Sequence, residues 1–91
     1  TSIGTVTITG SAGPTDGDNE TYSAATSGTA GTLTYAWSVS GSGTVNGSST
    51  GSTVSIDWAG TTASTVTCVV TSGDAGVTDS PATGTLSVTP V

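Results

Sequence analysis

Asp16, Asp18 and Glu20 stand at alternate positions in the run Asp16-Gly17-Asp18-Asn19-Glu20. Carboxylates at that spacing are what a loop uses to gather oxygen ligands around Ca²⁺. The run lacks the glycine and terminal glutamate spacing of an EF-hand loop, and a polar turn ahead of a strand accounts for the same residues. Asp74 and Asp79, on a later loop, are the further acids that could add ligands. Calcium, with Asp16, Asp18 and Glu20 as ligands, is the one cofactor the sequence raises.

Other chemistry is limited by what is missing. The 91 residues include no Lys, Arg or His, and six carboxylates set the formal net charge at -6. Without cations the chain cannot neutralise a phosphate backbone or be drawn electrostatically to anionic lipid. The 22 Thr and 15 Ser offer many hydroxyl nucleophiles, but no His or Lys to activate them. A carboxylate pair could in principle cleave glycosides, yet the acids fall in expected loops or at a strand end with no evident cleft. No catalytic residue and no organic cofactor site are expected, and trypsin has no bond to cut.

Three surface readings are weighed against plainer ones. Trp37 and Trp58 could stack on sugars, but they share alternation with Tyr35 and Ile56 and are expected in the core. Asn19-Glu20-Thr21 and Asn46-Gly47-Ser48 match the glycosylation acceptor pattern, unsurprising in a chain so rich in Ser and Thr. Outward threonines at 5, 7 and 9, at 65 and 67, and Thr85-Ser87-Thr89 could order water or ice. Thr is also the polar residue that strands tolerate best.

The elements that would carry these residues are strands. Val6 and Ile8 alternate with Thr5, Thr7 and Thr9. A turn-rich stretch follows from Gly10 to Asp18, then a strand over 20–26 pointing Tyr22 and Ala24 inward. The strongest segment, 33–39, places Leu33, Tyr35, Trp37 and Val39 on one face. In the Gly/Ser/Thr stretch 41–52, Val45 is the apolar anchor and Asn46-Gly47 suits a tight hairpin turn. Val54, Ile56 and Trp58 alternate next, then Val66, Cys68 and Val70 with Val69 outward, and finally Leu86 and Val88. Seven short strands without a helix predict one antiparallel β-sandwich domain spanning 1–91. Cys68 is the single cysteine, so no internal disulfide forms. No run is long and apolar enough to cross a membrane as a helix. Ten Val, three Ile, two Leu, two Trp and two Tyr must fill the core, so modest stability and reliance on neighbouring subunits or modules are expected.

Four segments resemble immunoglobulin-like modules of the bacterial and phage type, including the PKD-like group. They are TYAWSV at 34–39, STVSIDW at 52–58, STVTCVV at 64–70 and GTLSVT at 84–89. The resemblance implies an immunoglobulin-like sandwich, with Trp37 in the place of the central tryptophan and Cys68 in that of the second cysteine. No cysteine stands at Tyr22 or Ala24 to pair with it, and Val66 replaces the tyrosine of the corner motif, which disfavours an antibody-type domain. Self-crosslinking adhesin modules need a lysine and are excluded. Such sandwiches carry many roles. The expected role is a non-catalytic structural or adhesive module on a phage virion, decorating capsid or tail, exposed at the particle exterior among other protein subunits in an oligomeric assembly. The alternative is a spacer or binding repeat of a bacterial surface or secreted protein, with host surface glycans as further candidate partners. Strand edges lack the lysines that often guard them, so edge-mediated association is expected.

Overall fold

The computed structural model describes residues 2–28 and 31–91; Thr1, where the chain starts without Met, lies outside them. Among the described residues the chain forms seven strands. They are β1 (Val6–Thr9), β2 (Asn19–Thr26), β3 (Leu33–Val39), β4 (Gly43–Asn46), β5 (Thr53–Trp58), β6 (Ser64–Ser72) and β7 (Ala82–Val88). For β1, β2, β3, β5 and β6 the alternating segments of the sequence fall within a residue or two of these bounds, β7 begins ahead of its inward pair Leu86 and Val88, and β4 lies inside the Gly/Ser/Thr stretch 41–52 around Val45.

The strands form two antiparallel sheets, one in the order β1-β2-β5-β4 and one in the order β3-β6-β7. Register follows the apolar alternation. Tyr22 lies opposite Val54, and Trp37 lies opposite Cys68, which lies opposite Gly84. The inward side chains Val6, Ile8, Tyr22, Trp37, Val54, Ile56, Trp58, Val66, Cys68, Val70 and Val88 form one core. Leu33, Tyr35, Val39, Val45 and Leu86 are half-buried and pack against it.

Trp58, not Trp37, is the largest fully buried side chain. Its ring meets that of Tyr22 edge-on, with centroids 6.2 Å apart and planes at 75°, a geometry aromatic quadrupoles favour. The Tyr22 hydroxyl donates to the Ser11 carbonyl at 2.6 Å, tying the β1–β2 connection to the core. Gly10 makes this possible, since a Cβ there would collide with the Tyr22 ring. Burial pushes the Tyr22 phenol above its ordinary value; the Trp58 side chain opposes this and the Glu20 carboxylate adds to it. The Trp58 N–H itself reaches no acceptor at hydrogen-bonding geometry. Trp37 caps the opposite side of the core and donates its indole N–H to the Gly51 carbonyl at 2.7 Å.

Two edges of the three-stranded sheet are partly closed by connections. The Trp37 amide on the β3 edge donates to the Ser49 carbonyl. Beyond β7, residues 89–91 run beside residues 12–16: Thr89 N–H donates to Ala12, Val91 N–H to Pro14, and Asp16 N–H back to Val91. Residues 12–16 thereby leave the β1 sheet and lie along the end of the other one, with Pro14 and Pro90 buried between. Where β1 crosses β7, Gly84 is required, because a Cβ there would sit 2.7 Å from both the Val6 carbonyl oxygen and Val6 Cγ1.

The Asn46-Gly47 expectation needs correction. Gly47 has φ +88°, but among the described residues no residue other than glycine has positive φ, and residues 47–52 make a longer connection than a tight hairpin. The chain spends those residues passing the edge of β3, where Ser49 and Gly51 accept the two Trp37 donors. Ile3, fully buried, was not legible as a core residue, since it precedes the first alternating segment.

Truncation of Trp58 to Ala is expected to cost about 3–5 kcal/mol. Tyr22→Phe, which removes only the bond to Ser11, is expected to cost about 1 kcal/mol. Urea unfolding followed by the fluorescence of the remaining indoles measures both; equal losses would show that the hydroxyl, not the ring, carries Tyr22.

Candidate functional site

The carboxylates are the only charged side chains, and local backbone decides what each can do. Asp16 Oδ1 accepts the Gly60 N–H at 2.7 Å, joining the β1–β2 and β5–β6 connections. Asp18 Oδ2 accepts the Thr15 N–H at 3.2 Å within its own turn, which Gly17 closes with φ +92°. Glu20 is different. It lies on β2 opposite Ile56, on the face that Tyr22 shares, and is half-buried. The alternation that suggested three convergent ligands therefore continues from a loop into a strand. Among the described residues, no group of three or more His, Cys, Asp or Glu side chains comes together to hold a metal ion.

The later acids are also engaged. Asp57, on the outer face of β5, accepts from Asn19 Nδ2 at 2.6 Å, and Asn19 Oδ1 accepts from Ser55 at 2.7 Å. Asp74 accepts the Gly76 N–H at 3.0 Å in the β6–β7 connection. Asp79 receives two consecutive amides, Ile3 N–H at 2.8 Å and Gly4 N–H at 2.9 Å, and so fastens the segment before β1 to the β6–β7 connection. Those two donors hold the Asp79 carboxyl below the usual carboxylate range. The sequence raised Asp79 only as a calcium ligand; nothing local marks it as a staple across 75 residues of chain.

Trp37 and Trp58, only 5% and 1% exposed, offer no aromatic platform to a sugar. Cys68 is buried, and desolvation raises its thiol pKa, with a backbone hydrogen bond at Ala36 opposing, so it is poorly suited to nucleophilic work. No concave pocket opens among the described residues.

What remains is surface. On the three-stranded sheet, register places Thr34, Ala36, Ser38, Thr65, Thr67, Val69, Thr71, Thr83, Thr85 and Ser87 on the outward side. None of these is charged. The acids fall in the end connections, on β2 and on the outer side of β5. The four-stranded sheet also presents hydroxyls outward, including Thr7, Thr9, Thr21, Ser23, Thr53 and Ser55, but it carries Asp57 among them. No protein-family model, curated protein or solved structure matches the chain.

Two outcomes are expected in solution. Since Asp79 titrates lower in the folded chain than in the unfolded one, its contribution is present above the ordinary carboxyl range and is lost as pH falls through the depressed folded value. Asp79→Asn should lower the melting temperature at neutral pH and flatten its fall on acidification; an unchanged acid limb would show that other groups govern it. Calcium or a chelator should leave the melting temperature where it is, because Asp16 and Asp18 already serve backbone amides. A rise with calcium would show that Asp16, Asp18 and Glu20 rearrange into a ligand set.

Proposed function

We propose that the chain is a non-catalytic, immunoglobulin-like structural module of the bacterial or phage type that packs against protein neighbours on the exterior of a virion. The observation that carries this reading is the distribution of charge. In a chain of net charge -6 with no cation, the outer face of β3-β6-β7 is free of carboxylates. Interface centres are depleted of charge, and an anionic subunit can approach another closely only where carboxylates do not oppose one another. The strand order and the four motif segments support the immunoglobulin-like reading. The carboxylate-bearing ends and hydroxyl-covered sheets would keep the assembly solvated. Catalysis has no support in this reading: the chain has no His or Lys to activate a hydroxyl.

The second reading, a spacer repeat of a bacterial surface or secreted protein, is favoured by the placement of the chain's segments. Ile3 is fastened at the β6–β7 connection, whereas Val91 lies beside Asp16 at the opposite end of a body 43 Å long. Modules joined through those positions would follow one another in a line.

Placing charge on the neutral face separates function from fold. Ser38→Glu combined with Thr83→Glu, at exposed positions on strands that are not neighbours in the sheet, should alter stability little, as surface changes usually do, but should abolish incorporation into purified particles, read by mass spectrometry of the virions. Undiminished incorporation would overturn the assignment of this face. Absence of the wild-type chain from particles, with tandem copies on cell envelopes, would favour the spacer.

A further inference from the structure

The chain contains two asparagines, and the fold treats them oppositely. Asn19 lies in β2 with both side-chain atoms engaged: Nδ2 donates to Asp57 and Oδ1 accepts from Ser55. The next residue, Glu20, is held in the sheet opposite Ile56. Asn46 is the last residue of β4, an edge strand, and is exposed. The β4–β5 ladder ends at the Asn46–Ser55 pair, and Gly47 lies beyond it. Gly47 is exposed, has φ +88°, and has no atom within 4 Å of where a Cβ would stand.

We propose that Asn46 is a site of spontaneous deamidation, and that the fold leaves it open while protecting Asn19. The reaction needs only water. The Gly47 backbone nitrogen, on losing its proton, attacks Asn46 Cγ; a C–N bond forms, the side-chain nitrogen takes up the proton and departs as ammonia, and a cyclic imide remains. Water then opens the imide at either carbonyl, leaving aspartate or the β-linked isoaspartate. No side chain at 47 obstructs the ring, and glycine's wide φ/ψ range lets the backbone turn its nitrogen toward Cγ. At Asn19 the carboxamide is held by two partners, and the following amide belongs to a strand within the sheet.

The product changes the molecule at a point that matters for association. One new carboxylate joins the existing six, and it stands at the end of edge strand β4. Charge on an edge strand discourages pairing with another chain's edge, and a β-linkage would add a methylene to the backbone where the ladder stops. Aged chains are therefore expected to be more anionic and less prone to edge pairing than fresh ones.

The test is incubation of the purified chain at mildly alkaline pH, with and without denaturing urea, followed by peptide mass spectrometry that distinguishes aspartate from isoaspartate. Conversion at Asn46 should proceed in the folded chain at a rate close to that in the unfolded chain, while folded Asn19 stays unconverted. Asn46→Gln should eliminate the acidic species seen on ion exchange, and Gly47→Ala should slow its appearance severalfold. Strong protection of Asn46 in the folded state, conversion of Asn19 first, or a glycan found on Asn46 in the native product would each overturn the proposal. None of these readouts depends on where the protein resides.

Discussion

A chain without a single cationic side chain must compensate its carboxylates with neutral donors, and this constraint organises the connections between strands. Asp16, Asp18, Asp74 and Asp79 accept backbone N–H groups, and Asp57 accepts the Asn19 amide. Hydrogen bonds with one ionised partner are stronger than neutral ones, and each also satisfies an amide that the sheets do not use. Asp16 and Asp79 act as staples between connections far apart in the chain. Asp79 is the most consequential, since it joins the segment before β1 to the connection before β7 and seats Ile3 in the core.

Between those connections the core relies on few large side chains. Trp58 and Tyr22, on the four-stranded sheet, supply much of its bulk, and Trp37 on the facing sheet closes it. Each is anchored differently: Tyr22 to Ser11, Trp37 to Gly51, and Trp58 by its rings alone. Aromatic bulk in a chain otherwise built from Val, Thr, Ser and Gly demands places where backbone approaches closely. Gly10 beneath Tyr22 and Gly84 beneath Val6 provide them.

The functional reading rests on where charge is absent. An outer sheet face of Thr, Ser, Ala and Val is unremarkable residue by residue, because Thr is well tolerated in strands. It gains meaning from the rest of the molecule, in which the carboxylates occupy the ends, β2 and the outer side of β5. A neutral face on a small anionic body is suited to burial against another protein surface, and no pocket opens among the described residues.

By itself, the sequence determined the strands, their inward faces and the exclusion of cation-dependent chemistry. These depend on local alternation and on composition, which are properties of the chain before it folds. The segment 33–39 and the alternation of Val66, Cys68 and Val70 were legible for that reason. Tertiary structure alone decided which sheet each strand joined, that Trp58 is buried more deeply than Trp37, and that Ile3 belongs to the core. It also decided that Asp16 and Asp18 accept backbone N–H groups in connections while Glu20 lies on β2 opposite Ile56. Those outcomes depend on residues far apart in the chain: Asp79 with Ile3, Gly60 with Asp16, Val91 with Asp16. No local pattern encodes such partners, because the donors are backbone amides that every residue type but proline carries.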